Sequence, residues 1–127
     1  MGNRIFILDD EPDVVGLLRI ILDKEGFEVE SETDARRGLA RLLEQSPDLL
    51  LLDLMMPGVD GFEVLKLLRQ DFLSPRLPIL ILSARTGTED KIQSLQLGAD
   101  GYICKPFSPK ELIAEVRRVI GHEGSAG

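Results

Sequence analysis

Two groups of acidic residues come directly after apolar runs of this chain. Asp9, Asp10 and Glu11 follow the first run, and Asp53 follows four consecutive leucines. A carboxylate that ends a buried strand lies at the rim of a sheet, where it is partly desolvated but still open to a ligand. Hard cations bind oxygen ligands of this kind, and a cation beside a carboxylate suits phosphate chemistry. The two groups therefore predict a cation site that handles a phosphoryl group.

The first acidic group also has a simpler interpretation as a helix start. Acids placed before Pro12 would interact favourably with the dipole of a following helix. Three adjacent acids repel one another, however, and Asp53 beside them would add to the repulsion. A bound Mg²⁺ would relieve it, so the combination favours the metal site. Because Mg²⁺ is octahedral and usually keeps some waters, two carboxylates and one backbone carbonyl would suffice as protein ligands.

Two further residues follow later apolar runs. Ser83 ends the run Ile79 to Leu82, and Lys105 comes just before Pro106. Taken singly, Ser83 could be a turn or capping hydroxyl, and Lys105 a solvated surface lysine. Together with a cation, the hydroxyl and the ammonium would surround Asp53 and neutralise a phosphoryl group from three sides.

Strand-like and helix-like patterns alternate along the chain. Three apolar runs are typical of parallel strands covered on both faces, and the weaker runs Phe27 to Glu30 and Tyr102 to Cys104 predict edge strands. Five stretches show helical spacing of apolar residues. The fourth, roughly Glu89 to Leu97, has the thinnest stripe, with only Ile92 and Leu95. The stripes of the other helices are Val14, Leu17, Leu18, Ile21 and Leu22; Ala35, Leu39, Leu42 and Leu43; Val64, Leu65 and Leu68; and Leu112, Ile113, Val116, Val119 and Ile120.

Capping residues agree with these helix positions. Ser108 and Asp60 are each followed three residues later by a glutamate, which is the spacing of a capping box. Gly26 and Gly98 fall where the first and fourth helices should end.

This alternation predicts an α/β fold with five βα units. Right-handed crossovers make it a flavodoxin-like, doubly wound, five-stranded parallel sheet with strand order 2-1-3-4-5 and five helices. Strands 1 and 3 are then neighbours, so Asp9, Asp10 and Asp53 converge at the carboxyl edge, where such folds bind ligands.

Composition sets the class of protein. At 127 residues, we expect one domain over residues 1–121 and a disordered tail or linker stub over 122–127. A net charge of −7 disfavours direct contact with nucleic acid. No run approaches the roughly 18 apolar residues of a membrane span, and we expect no signal peptide. Cys104 is the only cysteine, which favours a reducing compartment.

Four motifs in order resemble the receiver domain of two-component response regulators, from about Arg4 to Ile120. They are Leu8-Asp9-Asp10-Glu11, Asp53-Leu54-Met55-Met56-Pro57-Gly58-Val59-Asp60-Gly61, Ser83-Ala84-Arg85 and Gly98-Ala99-Asp100-Gly101-Tyr102-Ile103-Cys104-Lys105-Pro106-Phe107.

The resemblance implies how the acidic site works. Asp53 would be the phosphoacceptor that takes a phosphoryl group from a phosphohistidine. Asp10 and Asp53 would bind Mg²⁺ directly, together with the Met55 backbone carbonyl, and Asp9 or Glu11 would help through water.

The resemblance also implies a switch. Ser83 would move toward the phosphoryl group, Lys105 would pair first with Asp53 and then with the phosphate, and Tyr102 would turn inward as Ser83 vacates its space. The Lys105-Pro106 peptide bond is usually cis in this family. We expect the only chemistry to occur on Asp53 itself, not turnover as in an enzyme.

The family resemblance further implies partners. These are a histidine kinase or histidine phosphotransfer protein in the cytoplasm, and an output domain or downstream protein contacted through the fourth helix, fifth strand and fifth helix.

The same face forms a dimer in the DNA-binding, winged-helix branch of the family. Lys91 with Glu111 retains one of the expected charge pairs, and Asp100 with Arg117 could form another. However, Gly101 replaces a common aspartate, and Glu115 stands where a basic residue is common. We therefore expect a monomer or a weak, phosphorylation-dependent dimer.

Two other functions share part of this residue pattern. A Mg²⁺-dependent phosphohydrolase of the haloacid-dehalogenase type would carry an aspartate where this chain has Met55. A phosphate-independent interaction module would have lost Asp53, the acidic pair or Lys105, and all of these are present.

Overall fold

A computed structural model of the chain describes residues 3–70, 77–84 and 87–124, with side chains described as far as residue 121. The main strands are β1 Arg4–Leu8, β2 Glu28–Glu32, β3 Leu49–Asp53, β4 Ile79–Ser83 and β5 Gly101–Cys104. The helices are α1 Pro12–Lys24, α2 Ala35–Gln45, α3 Gly61–Gln70, α4 Thr88–Gln96 and α5 Pro109–Gly124. Met55–Met56 and Val59–Asp60 form a short antiparallel hairpin after β3.

The main strands form one parallel sheet in the order β2-β1-β3-β4-β5. The predicted flavodoxin-like fold and strand order are therefore confirmed. Alternate residues of the central strands point to opposite faces, as Phe6 and Ile7 in β1 show, and each face has its own apolar cluster under the helices. Apart from Arg4, Asp53 and Ser83 at their ends, the central strands β1, β3 and β4 consist of apolar residues because helices cover them on both sides.

The predicted apolar stripes are wrong at four positions, since Leu17, Leu43, Ile92 and Leu95 are exposed. In α4 the stripe fails completely: Ile92 and Leu95 are 48% and 43% exposed, and Ser94 is the buried residue. The physical reason is the position of α4 beside the edge strand β5, which offers it little surface to cover.

The helix ends follow the predicted capping signals. The Ser108 hydroxyl accepts a hydrogen bond from the Glu111 amide at 3.0 Å, and an Asp60 carboxylate oxygen accepts one from the Phe62 amide at 2.9 Å. Gly26 and Gly98 follow α1 and α4 with φ of 90° and 110°. These positive angles suit glycine because it has no Cβ.

At the other end of the chain, α5 continues to Gly124, three residues beyond the predicted domain boundary at residue 121. Residues 125–127 lie outside the described part, so the disordered tail stays a prediction. None of the described helices is long and apolar enough to cross a lipid bilayer.

Gly98 also lies against a guanidinium group that joins three parts of the fold. Arg69, at the end of α3, donates to the Gly98 carbonyl at 2.9 Å and to the Leu77 carbonyl at 2.6 Å. Its third contact is an ion pair with Asp100 at 3.0 Å. The Arg69 side chain therefore connects the C-terminal ends of α3 and α4 with the segment just before β4.

Replacement of Gly98 by alanine should destabilise the fold more than the same replacement at Gly26. Both changes force a Cβ onto a positive φ, which costs about 1–2 kcal/mol. A Cβ at Gly98 would also lie 2.8 Å from Arg69, whereas nothing lies within 4 Å of one at Gly26. We expect about 1–3 kcal/mol of additional loss at Gly98, measured by urea unfolding of both variants. Equal losses would show that Arg69 gives way without cost.

Candidate functional site

The carboxyl edge of the sheet brings together the three predicted aspartates. Asp9 follows β1 and Asp53 ends β3, and because these strands are neighbours the two carboxylates meet. Oxygen atoms of Asp9, Asp10 and Asp53 all lie within 4.8 Å of one another. Asp9 is fully buried and Asp53 is 2% exposed. The edge thus concentrates negative charge where little water can screen it.

Backbone contacts fix the position of the Asp53 side chain. Its Oδ1 atom accepts a hydrogen bond from the Met55 amide at 3.0 Å. The next residue, Leu54, donates to the Leu82 carbonyl at 3.2 Å and accepts from the Gly61 amide at 3.0 Å. A Cβ at Gly61 would lie 2.5 Å from the Leu54 Cα, so only glycine fits this close approach. The hairpin and the start of α3 therefore hold the loop behind Asp53 in place.

Asp9 is held differently at its two oxygens. Oδ1 accepts a hydrogen bond from the Glu11 amide at 2.9 Å. Oδ2 is buried and lies 2.9 Å from the Lys105 ammonium nitrogen, but it has no hydrogen-bond partner of suitable geometry. Asp9 therefore keeps one buried oxygen with unused capacity to bind a donor or a cation.

Lys105 supplies the positive charge at this edge. Its Nζ atom lies 2.9 Å from both Asp9 and Glu11 and 3.5 Å from Asp53, and its side chain is 12% exposed. The Lys105 amide donates to the Ser83 carbonyl at 2.7 Å, and its peptide bond to Pro106 is cis. Burial alone would lower the pKa of the Lys105 ammonium, but its interactions with the carboxylates of Asp9 and Glu11 outweigh burial and raise it. Lys105 is therefore a permanent cation.

The environment of Asp53 disfavours its charged form. The pKa of Asp53 is raised from 3.8 to about 7, mainly by burial and in part by the negative charge of Asp9. The Met55 amide and the Lys105 ammonium act in the opposite direction and do not cancel it. One ammonium does not balance two buried aspartates with Asp10 beside them, so additional positive charge here would be stabilising.

This donor set fits a hard divalent cation. Three carboxylates offer oxygen ligands. The buried Asp9 Oδ2 accepts no hydrogen bond, so a cation or a water bound to the cation could interact with it. Glu11 does not belong to this group of oxygens, because its side chain pairs with Lys105. Sequence reasoning missed this pairing, since two residues 94 positions apart give no local signal.

The two predicted switch residues lie on neighbouring strands. Ser83 is fully buried at the end of β4, and Tyr102 in β5 is 9% exposed and packs into the core cluster that contains Phe6. Ser83 is paired in register with Cys104, the residue before Lys105. Ser83 therefore lies directly beside the strand that contains Tyr102 and leads into Lys105. Arg85, part of the same sequence motif, lies outside the described residues.

A crevice of 330 Å³ opens beside Asp10. The loop after β2 supplies Thr33 and Asp34 to one wall and the start of α2 supplies Arg36, while the hairpin after β3 supplies the other wall. Sequence reasoning did not include this loop in the site. The predicted strand order places β2 next to β1, and that was the signal that could have found it.

The raised pKa of Asp53 predicts a pH-dependent stability for the metal-free protein. Between pH 3.8 and about 7 the folded state keeps a proton on Asp53 that the unfolded state has lost. The stability from this group is therefore fully present below the unfolded pKa and is lost as the pH rises through about 7. We expect a loss of about 2–3 kcal/mol between about pH 5 and pH 8.

Asp53→Asn removes this titration and should be more stable than the parent protein near pH 8, with a smaller difference near pH 5. Urea unfolding with a chelator present measures both proteins. A difference that does not vary with pH would show that Asp53 titrates normally.

Comparison with known proteins agrees with this geometry. Residues 5–117 match the family model described as "Response regulator receiver domain". The DNA-binding response regulator MtrA of Mycolicibacterium smegmatis is 44% identical over 117 residues, which are 92% of this chain and 50% of that protein. The phosphate regulon transcriptional regulatory protein PhoB of Pseudomonas aeruginosa is 38% identical over 98% of this chain and 54% of that protein.

A solved structure of the same family has the same fold. The CheY-like response regulator receiver domain protein of Methanospirillum hungatei superimposes with a TM-score of 0.90 at 30% identity, covering 100% of both chains. The chain spans about half the length of the curated relatives it matches, and MtrA is named a DNA-binding protein. The comparisons therefore do not support the expected absence of nucleic-acid contact for a whole protein of this kind. The matched family, the relatives and the shared fold all agree: this chain belongs to the response regulator receiver domain family.

Proposed function

We propose that this chain is the phosphoacceptor switch of a two-component phosphorelay, and that Asp53 receives the phosphoryl group. The donor is the phosphohistidine of a histidine kinase or a histidine phosphotransfer protein. The observation that carries the proposal is the position of Asp53: it is buried at the carboxyl edge, beside Asp9 and Asp10 and 3.5 Å from the Lys105 ammonium. Phosphoryl transfer depends mainly on positioning and charge compensation, and this edge provides both.

Asp53 acts as the nucleophile. A carboxylate oxygen forms the new bond to phosphorus while the bond from phosphorus to the donor imidazole nitrogen breaks, and the imidazole leaves with the electron pair. The Met55 amide holds Oδ1 at 3.0 Å, so the carboxylate cannot rotate away from the donor.

Asp53 must be ionised to attack, although burial raises its pKa to about 7. A Mg²⁺ ion held by Asp10, Asp53 and the Met55 carbonyl, with Asp9 acting through water, would supply the charge that keeps the carboxylate ionised and offsets that of the phosphoryl group. The Asp9 Oδ2 atom, which pairs with Lys105 but accepts no hydrogen bond of suitable geometry, supports this assignment. Glu11 was assigned a water-mediated role beside Asp9, but its pairing with Lys105 supports a different one.

Lys105 and Ser83 respond to the phosphoryl group. Phosphorylation adds about −1.5 to −2 charges and three acceptor oxygens. Lys105 is already within 3.5 Å of Asp53, and Ser83 lies at the end of the adjacent strand. As Ser83 moves toward the phosphate, α4 is displaced and Tyr102 fills the vacated space. The output surface is then α4, β5 and α5, and it contacts an output domain or a downstream protein.

The chemistry is confined to Asp53 itself. Met55 is exposed and stands where a phosphohydrolase of the haloacid-dehalogenase type would need a second aspartate. The switch works in the cytoplasm beside its kinase.

Incubation with acetyl phosphate and Mg²⁺ should add one phosphoryl group to the protein. Intact-mass measurement should show this addition in the parent protein and lose it in Asp53→Asn or when a chelator removes Mg²⁺. Asp13→Asn, which removes an exposed aspartate at the start of α1, serves as the matched control and should be phosphorylated normally. A folded parent protein that gains no phosphoryl group would instead favour the phosphate-independent module.

The phosphorylated protein should change on the α4–β5–α5 surface and still remain a monomer or, at most, a weak dimer. Charges that could bridge two copies are already paired within the chain: Asp100 with Arg69, Arg117 with Glu25, and Arg118 with Glu115. A side chain at Gly101 would lie 2.8 Å from Arg118.

Amide hydrogen exchange and light scattering test both parts of this prediction, with Asp53→Asn as the control that cannot switch. Exchange should change in α4, β5 and α5, while the scattering mass stays near that of one chain. Unchanged exchange would reject the output surface, and a tight phosphorylated dimer would reject the pairing argument.

A further inference from the structure

We propose that Glu11 is a positioning residue that holds Lys105 away from Asp53 until a phosphoryl group arrives. This inference rests on the proposed function and assigns to Glu11 a task separate from metal binding. It is carried by the contacts of Glu11 and Lys105 and by the helix cap that Glu11 does not form.

The first observation concerns the start of α1. Glu11 is the N-cap residue of this helix, but its side chain makes no capping hydrogen bond. Short side chains such as Ser, Thr, Asp and Asn normally occupy this position because they bond the free amides of the first turn. Glu11 extends instead to the Lys105 ammonium, 2.9 Å away and 94 residues later in the chain. The side chain is therefore used for Lys105 at the expense of the helix cap.

The second observation is the unequal sharing of Lys105. Its nitrogen is 2.9 Å from Asp9 and Glu11 but 3.5 Å from Asp53. Coulomb attraction rises as distance falls, so the ammonium is drawn toward the side of the site that does not receive the phosphoryl group. Without the Glu11 carboxylate, only Asp9 and Asp53 would attract Lys105, and the ammonium would lie closer to Asp53 on average.

The third observation is the difference in burial between the two partners on that side. Asp9 is fully buried and its other oxygen is fixed by the Glu11 amide, whereas the Glu11 side chain is 56% exposed. The Lys105 end of the pair is 12% exposed, but water screens the Glu11 end, so this pair is weaker than a fully buried one and exchanges more readily for a stronger partner. A phosphoryl group, with its charge of about −1.5 to −2, is such a partner. Lys105 can therefore leave Glu11 without breaking a buried pair.

Glu11 thus competes with the phosphoryl group for a single cation. Removing its charge, as in Glu11→Gln, should strengthen binding of beryllofluoride, a phosphoryl mimic, by about two- to fivefold, the range expected of an exposed pair. Calorimetric titration of beryllofluoride in saturating Mg²⁺ measures the effect. The same variant in a Lys105→Met background should show no change, because the cation for which Glu11 competes is absent.

Asp13→Asn is the matched control. It removes one negative charge from the same helix start at an exposed position, so it reproduces any general effect of charge. Beryllofluoride affinity should stay within twofold of the parent protein in this variant. A gain equal to that of Glu11→Gln would reject the inference in favour of simple charge reduction.

The remaining outcomes are distinct. Weaker beryllofluoride binding by Glu11→Gln, with or without Lys105, would reject the inference and restore Glu11 to the metal site. An effect that persists in the Lys105→Met background would reject it as well. Failure of the parent protein to bind beryllofluoride would reject the proposed function together with the inference. If the parent protein binds beryllofluoride and Glu11→Gln binds it with the same affinity, the inference alone is rejected.

Discussion

The shortage of positive charge at the carboxyl edge of the sheet controls the behaviour of this domain. Asp9 and Asp53 are both buried, Asp10 lies with them, and Lys105 is the cation that faces them within the described chain. In a poorly solvated site, each unbalanced carboxylate costs far more than at the surface. The site is therefore held in a strained charge state that a metal ion, a proton or a rearranged lysine can each relieve.

The central strands make this arrangement possible because β1 and β3 contain only apolar residues before the carboxyl edge, apart from Arg4 at the start of β1. β1 and β3 contribute apolar side chains to both faces, and the first carboxylates appear only where each strand ends. Neighbouring parallel strands must end at the same edge, so the like charges meet there as a consequence of topology. The large apolar core offsets the electrostatic cost at the edge, which is how a stable fold can contain a poorly compensated site.

Sequence alone predicted the sheet and the identity of the acidic residues. The short run Leu49 to Leu52, ended by Asp53 and followed by the turn residues Pro57 and Gly58, favours a buried strand, and strand order then brings Asp53 to Asp9. Sequence did not predict which carboxylates pair with Lys105, because the distances from its ammonium to the three carboxylates differ by less than 1 Å. Nor did it predict that Ile92 and Leu95 face outward, since spacing identifies a stripe but not whether a neighbouring element covers it.

The exposed stripe explains why α4 is suited to transmit the signal. Ser94 is the buried residue of this helix, and its hydroxyl bonds the Asp90 carbonyl of the same helix, so it adds no polar link to the sheet. The C-terminal end is fixed by Arg69 at Gly98, while the N-terminal end begins at Gly87, which has no side chain to cap it. The uncapped end is the one nearer to Ser83 along the chain. In the proposed switch, a displacement of Ser83 would therefore move this end more than the end fixed by Arg69, and would carry the apolar surface formed by Ile92 and Leu95 with it.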